Sequence, residues 1–251
     1  MIIAVIPARG GSKRIPRKNI KDFHGKPIIA YSIETAINSG CFDQVVVSTD
    51  DLEIAETAKK YGALVPYIRP SNISDGYTGT NAVVKHAIQW FFEQGKKVEY
   101  ACCIYATAPF LQSKYIQDGF NSIQESGCDF SFSVTTFAFP VQRSLRIKDN
   151  GVEPIWSDFI LERSQDLEEA YHDAGQFYWG TSKAFTNDHK LFSSGSLPVV
   201  IPRYLTQDID TLEDWKYAEL MFRVLTESGQ GGNIDQTLNT LFYYCRSRFK
   251  S

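Results

Sequence analysis

Short runs of branched and aromatic apolar residues alternate along this chain with longer segments whose apolar positions recur every three or four residues. Ile2 to Ile6, Gln44 to Ser48, Ala63 to Tyr67, Tyr100 to Tyr105 and Phe130 to Thr135 predict strands. Pro27 to Ser39, Asp51 to Tyr61, Thr80 to Gln94 and Ser113 to Ser126 predict helices between them. Each helical segment runs into a glycine, Gly40, Gly62, Gly95 or Gly127, the residue that takes a left-handed C-terminal cap without a steric penalty. Strands and helices in alternation predict an α/β fold with a mostly parallel, Rossmann-like sheet. From about Phe137 to Tyr171 the rhythm lapses, and Asn150-Gly151 signals a hairpin turn. That segment is expected to leave the sheet and is a candidate dimer contact. The pattern returns at Gly175 to Trp179 and Leu197 to Ile201. A helix from Thr211 to about Thr226 follows, with Asp210 as its expected cap and Glu213 and Asp214 in its first turn. Ser228 to Asn233 reads as a linker and Ile234 to Ser251 as a tail, so residues 1–227 are expected to form the working domain.

Composition narrows the class. A chain of 251 residues that is 43% hydrophobic suits one principal core. A net charge of −3 argues against nucleic acid or an anionic membrane as partner, since both require a broad basic face. Any phosphate site must then be a local concentration of cations. Five cysteines with no C-x-x-C pair suggest reduced thiols, and Cys102-Cys103 falls within an expected buried strand. The apolar stretch Met1 to Ile6 is too short for a signal peptide or a membrane span, so the expected location is cytoplasmic.

The loop after the first strand carries the strongest chemical signal. Residues 7 to 19 hold Arg9, Lys13, Arg14, Arg17 and Lys18 around the adjacent Gly10 and Gly11. In an α/β sheet this loop lies at the carboxyl edge, where ligands bind. Backbone N–H groups from Ala8 to Ser12 could form an anion nest, while the cations supply the charge a triphosphate requires. The loop is neither G-x-x-x-x-G-K-[ST] nor G-x-G-x-x-G. A basic run is often just a solvated face, but its place after the first strand favours phosphate. A second signal is Asp208-Ile209-Asp210-Thr211. Carboxylates at i and i+2 of an extended segment share a face and suit Mg²⁺ bridging to substrate phosphates. Taken alone, such a pair is more often a strand end followed by a helix cap, and Asp210 could serve as both cap and ligand. His172-Asp173 are neighbours that point to opposite faces of a strand, and His24, His86 and His189 show no metal-ligand spacing.

In Ile6 to Asn19, Val45 to Asp50, Arg69-Pro70, Ser74-Asp75 and Asp208 to Thr211, the chain resembles the CMP-sugar synthetases for acidic sugars. These are the cytidylyltransferases of sialic, legionaminic, pseudaminic and ketodeoxyoctonic acids. The resemblance covers about residues 1 to 225 and implies a sheet of the nucleotide-diphospho-sugar transferase type, with 137–171 as an inserted homodimer element. It implies that Arg9, Ser12, Lys13, Lys18 and Asn19 hold the triphosphate, and that Arg69 with the loop from Asp75 to Thr80 holds cytosine and ribose. Asp208 and Asp210 fall on its metal-binding pair. Arg9, Lys18, Asp208 and Asp210 are then the expected catalytic set, with Mg²⁺ as cofactor.

Substrate choice is carried by departures from the sialic acid pattern. Where those relatives have Gln-Pro-Thr-Ser-Pro-Leu-Arg, this chain has Tyr105-Ala106-Thr107-Ala108-Pro109-Phe110-Leu111. Losing polar readers and gaining Tyr105, Phe110 and Leu111 favours a sugar with a methyl group over one with more hydroxyls. The run from Glu162 to Gly180 resembles the pseudaminic acid branch. Tyr105, Thr107, His172, Gln176 and Tyr178 are the expected sugar contacts. The implied reaction joins an acidic nine-carbon sugar to CMP from CTP. The competing expectations are a glycosyltransferase with an Asp-x-Asp metal site and a non-catalytic nucleotide-binding regulator.

Overall fold

The computed structural model describes residues 1–74 and 79–227. The expected linker and tail, 228–251, lie outside the described residues, as does Asp75. The chain opens with β1 (Ile2–Pro7), a small hairpin of β2 (Asp22–Phe23) and β3 (Lys26–Pro27), and α1 (Ile28–Ser39). There follow β4 (Gln44–Ser48), α2 (Leu52–Lys60), α3 (Thr80–Glu93), β5 (Tyr100–Ile104), α4 (Ser113–Ser126) and β6 (Phe130–Thr136). A second hairpin of β7 (Leu145–Lys148) and β8 (Gly151–Pro154) precedes β9 (Tyr171–Thr181), α5 (Ser182–Thr186), β10 (Ser196–Val200) and α6 (Leu212–Glu227).

Six strands form one sheet in the order β10-β6-β9-β5-β1-β4. β1 runs parallel to β4 and β5, and β10 parallel to β6. β9 alone is reversed, antiparallel to both β5 and β6. The sheet is therefore mostly parallel, as its strand-helix alternation predicts. Its two faces are buried by different helices, which is why the strands read as nearly unbroken apolar runs. Ala4 and Ile6 of β1 pack with Ile29 and Ile33 of α1, while Ile3 and Val5 join the core that holds Val84, Ile88 and Phe91 of α3. Val45 and Val47 divide from Val46, and Cys102 and Ile104 from Ala101 and Cys103, in the same way. Cys41, Cys102, Cys103 and Cys128 are free thiols. Among the described residues no helix is long and apolar enough to cross a membrane.

Three expectations need correction. Ala63 to Tyr67 forms no strand and contributes a single bridge, Val46 to Leu64, with a second, Thr49 to Ile68, just beyond it. Pro66 lacks the N–H that a continuous ladder requires. The turn of the outer hairpin is Asp149-Asn150, with φ of 49° and 63°, so it sits one residue earlier than expected and Gly151 pairs with Lys148. Two central residues of positive φ suit the twist of a tight hairpin. Asp210 does not cap α6. The Thr211 hydroxyl accepts the Asp214 N–H at 3.2 Å and the Asp214 carboxylate accepts the Thr211 N–H at 2.7 Å, a reciprocal box. This leaves the Asp210 carboxylate available to the loop after β1.

Gly180 in β9 lies under two rings. A Cβ there would stand 2.6 Å from Phe185 and 2.7 Å from Phe130. Gly180→Ala is expected to lower stability by about 2 kcal/mol through overpacking, read as a lower urea midpoint at unchanged slope.

Candidate active site

The loops after β1 and β5 and the region leading into α3 meet the segment before α6 at a cleft of about 610 Å³. The loop after β1 lines it with Arg9, Ser12, Lys13, Arg14, Lys18 and Asn19, and the region leading into α3 with Arg69, Ile73 and Thr80. Tyr105, Ala106 and Thr107 line it from the loop after β5, and Asp210 from the segment before α6.

The basic loop is tied down by its own backbone and by β4. Ala8 N–H donates to the Ser48 carbonyl at 2.9 Å and Gly10 N–H to Asp50 Oδ1 at 2.9 Å. The Gly10 amide is therefore engaged by a carboxylate and is not part of an open anion nest. Gly10 is required for close approach, since a Cβ would lie 2.6 Å from Asp51 Oδ2. A Cβ on Gly11 would meet nothing within 4 Å. Asn19 is buried and its Nδ2 donates to the Arg9 carbonyl at 3.0 Å. The five cations divide by role: Arg17 pairs with Asp51 and Glu53, Arg14 and Lys18 reach Asp210, and Arg9 and Lys13 have no ion-pair partner among the described residues.

Lys18 joins the two ends of the site. Its Nζ donates to the Ile209 carbonyl at 2.7 Å and stands 3.4 Å from Asp210 Oδ1. Arg14 Nη2 lies 2.7 Å from Asp210 Oδ2. Asp208 is exposed, yet desolvation by the protein around it raises its pKa above the ordinary carboxylate value. Asp210 adds to the rise, while Lys18 opposes it. A carboxylate whose proton affinity is raised by its surroundings and by a second carboxylate carries unmet negative charge, and hard oxygen donors in that state fit a divalent cation. Among the described residues no group of three or more His, Cys, Asp or Glu side chains could hold a metal, so the remaining ligands would have to come from phosphate and water.

Arg69 is only 5% exposed. Its Nε donates to Ser74 Oγ at 3.2 Å and its Nη2 lies 3.9 Å from Asp50 Oδ1, the atom that also accepts from Gly10. Burial lowers its pKa and Asp50 counters that. Asp50 thus links the basic loop to Arg69, a role its place at the end of β4 hinted at but its residue type did not specify.

The expected sugar contacts separate into two groups. Tyr105 and Thr107 line the cleft, whereas His172, Gln176 and Tyr178 do not. His172 is exposed, with Nδ1 2.8 Å from the neighbouring Asp173 carbonyl oxygen and its ring edge-on to Phe137. Tyr178 is buried and donates to Asp173, with 2.8 and 2.7 Å to the two oxygens. Burial, with Tyr105 and Asp173 beside it, pushes its phenol well up. Gln176 is buried and donates from Nε2 to the Leu205 carbonyl, tying β9 to the segment that leads to Asp208. The reason is a bulge: Phe132 pairs with Tyr178 but Val134 pairs with Asp173, and the slack is taken up around Gly175 at φ 63°. Phe110 and Leu111 are buried in the core, so of the three apolar replacements only Tyr105 faces the cleft.

A family profile described as cytidylyltransferase matches residues 3–208. The chain belongs to the cytidylyltransferase family. It is 46% identical over 227 residues to the pseudaminic acid cytidylyltransferase of Campylobacter jejuni, a match spanning 90% of this chain and 98% of that one. It is 32% identical over 238 residues to the CMP-N,N'-diacetyllegionaminic acid synthase of Legionella pneumophila, spanning 90% and 98%. Among solved structures, a CMP:2-keto-3-deoxy-manno-octonic acid synthetase complexed with CTP superimposes with a TM-score of 0.65 at 16% identity, over 88% of this chain and 98% of that one. As a cytidylyltransferase the chain is a nucleotidyltransferase, which removes the glycosyltransferase and the non-catalytic regulator as competing accounts.

The raised proton affinity of Asp208 has a consequence for stability. A carboxyl whose folded pKa lies above its unfolded value favours the folded state at low pH, and that contribution is lost as pH rises through the folded value. Asp208→Asn, which mimics the protonated form, is expected to raise the melting temperature of the ligand-free protein at pH 7 by about 1–2 °C, solvent screening keeping the effect small. The difference should close as pH falls below the ordinary carboxylate range, which scanning calorimetry at several pH values would read.

Proposed function

We propose that this cytidylyltransferase converts CTP and pseudaminic acid to CMP-pseudaminic acid and pyrophosphate. The observation that carries the proposal is a basic loop facing Asp210 across one cleft, with Asp208 two residues before it in the chain, in a chain 46% identical to a pseudaminic acid cytidylyltransferase over nearly its whole length. The anomeric hydroxyl oxygen attacks the α-phosphorus, the bond from that phosphorus to the bridging oxygen breaks, pyrophosphate leaves, and the hydroxyl proton is released. Positioning and charge neutralisation supply most of the acceleration in such a transfer. Arg9, Ser12, Lys13, Lys18 and Asn19 hold the triphosphate. Arg9 and Lys13, which have no ion-pair partner among the described residues, enter that role without first giving one up. Arg69, Thr80 and Asp75 serve the nucleoside, with Tyr105 and Thr107 on the sugar. Asp208 and Asp210 would hold Mg²⁺, whose chemistry there is to offset the charge of the phosphates.

A homodimer belongs to the same proposal. The element 137–171 exposes Phe139 at 83%, Ile147 at 86% and Leu161 at 94%, alongside Val152 and Trp156, more apolar surface than a solitary hairpin leaves in water. Free thiols and a nucleotide substrate favour a cytoplasmic setting.

Pyrophosphate release with CTP and Mg²⁺ is expected with pseudaminic acid and not with sialic, legionaminic or ketodeoxyoctonic acid. Release with sialic acid instead would overturn the sugar assignment, and silence with all four would overturn the reaction. Lys18→Ala is expected to lower kcat on the order of 10²-fold while the fold survives; an unchanged rate removes Lys18 from the mechanism. Light scattering should give twice the chain mass, and Ile147→Arg should shift it toward the monomer.

A further inference from the structure

Arg17 stands directly before Lys18 with φ 55° and ψ 29°, in the left-handed region that side-chain-bearing residues rarely occupy. Such a conformation persists only where surrounding contacts hold it. The Arg17 guanidinium does not line the cleft. It reaches the start of α2, where Nη2 lies 2.9 Å from Asp51 Oδ1, Nη1 bonds the second Asp51 oxygen, and Glu53 takes a further contact. The same Asp51 caps α2, accepting N–H donors from Glu53 and Ile54 at 3.0 Å each. Gly10, near the other end of the loop, lies so close to this carboxylate that a Cβ would meet Oδ2 at 2.6 Å. Both ends of the basic loop therefore rest on one anchored side chain. Immediately beyond it, Lys18 reaches Ile209 and Asp210, and Asn19 reaches the Arg9 carbonyl.

We propose that Arg17 and Asp51 form a latch outside the cleft that positions the triphosphate-binding loop, with Arg17 acting on CTP only through the placement of Lys18, Asn19 and Arg9. The bidentate fork is what an arginine supplies and a lysine does not. Arginine holds the Asp51 carboxyl down to about 2, so the pair stays charged at any working pH. The inference rests on the reading that this loop holds the triphosphate of CTP.

The test is calorimetric titration of CTP with Mg²⁺ into the wild type, Arg17→Gly, Arg17→Lys, Asp51→Asn and the double variant Arg17→Gly/Asp51→Asn, with steady-state KM values for both substrates. Glycine accepts the left-handed backbone but carries no guanidinium, and asparagine keeps a helix cap but not the charge. Arg17→Gly and Asp51→Asn are each expected to weaken CTP binding about tenfold, with the double variant no weaker than either and Arg17→Lys in between. KM for CTP should rise while KM for the sugar holds. Wild-type affinity in a folded Arg17→Gly protein would overturn the latch, as would equal rises in both KM values, which would mark a general loss of structure. Absence of CTP binding by the wild type would overturn the loop's assignment to the triphosphate, and the latch with it.

Discussion

The site is organised around the ammonium group of Lys18, which spans from the loop after β1 to the segment before α6 and bonds the Ile209 carbonyl beside Asp210. These segments are 191 residues apart in the chain and meet because both emerge at the same edge of the sheet. Lys18 and Arg14 together offset Asp210, and Asp208 remains the less compensated of the two carboxylates, with its pKa raised. In the proposed reaction, a triphosphate that draws Lys18 and Arg14 toward itself leaves both carboxylates without their partners. That is an electrostatic reason for triphosphate and divalent cation to bind together.

The cations of the loop divide the work. Arg17 looks like a phosphate ligand in a basic run, yet its charge goes to Asp51 and Glu53 at the start of α2. Gly10 looks like a donor in an anion nest, yet its N–H goes to Asp50 and its missing Cβ makes room for Asp51. The adjacent acidic pair Asp50-Asp51 at the end of β4 is what turns a basic segment into a shaped loop. Asp50 extends that influence to the buried Arg69.

Substrate selection rests on fewer residues than the apolar replacements suggested. Tyr105 and Thr107 face the cleft, while Phe110 and Leu111 fill the core. Gln176 and Tyr178 are turned inward by the bulge at Gly175, and Gln176 supports the chain leading to Asp208. The Gln176 N–H and the Tyr178 O–H fasten β9, because a buried donor needs a protein partner once water is gone.

Much of what depends on near neighbours in the chain was legible beforehand, although the break at Pro66 and the cap formed by Thr211 and Asp214 are local features that were misread. The strand-helix alternation, the helix ends at Gly40 and Gly127, the hairpin in the excursion, the basic loop and the i, i+2 carboxylates all follow from short-range periodicity or from backbone freedom at single residues. Other features depend on which surfaces pack together, and no local pattern encodes that. β9 runs reversed at the centre of the sheet, Arg17 points away from the cleft, and Gln176 turns inward to the Leu205 carbonyl. Each is a choice among partners equally near in sequence or equally polar, settled by burial and by hydrogen bonds formed only once distant segments meet.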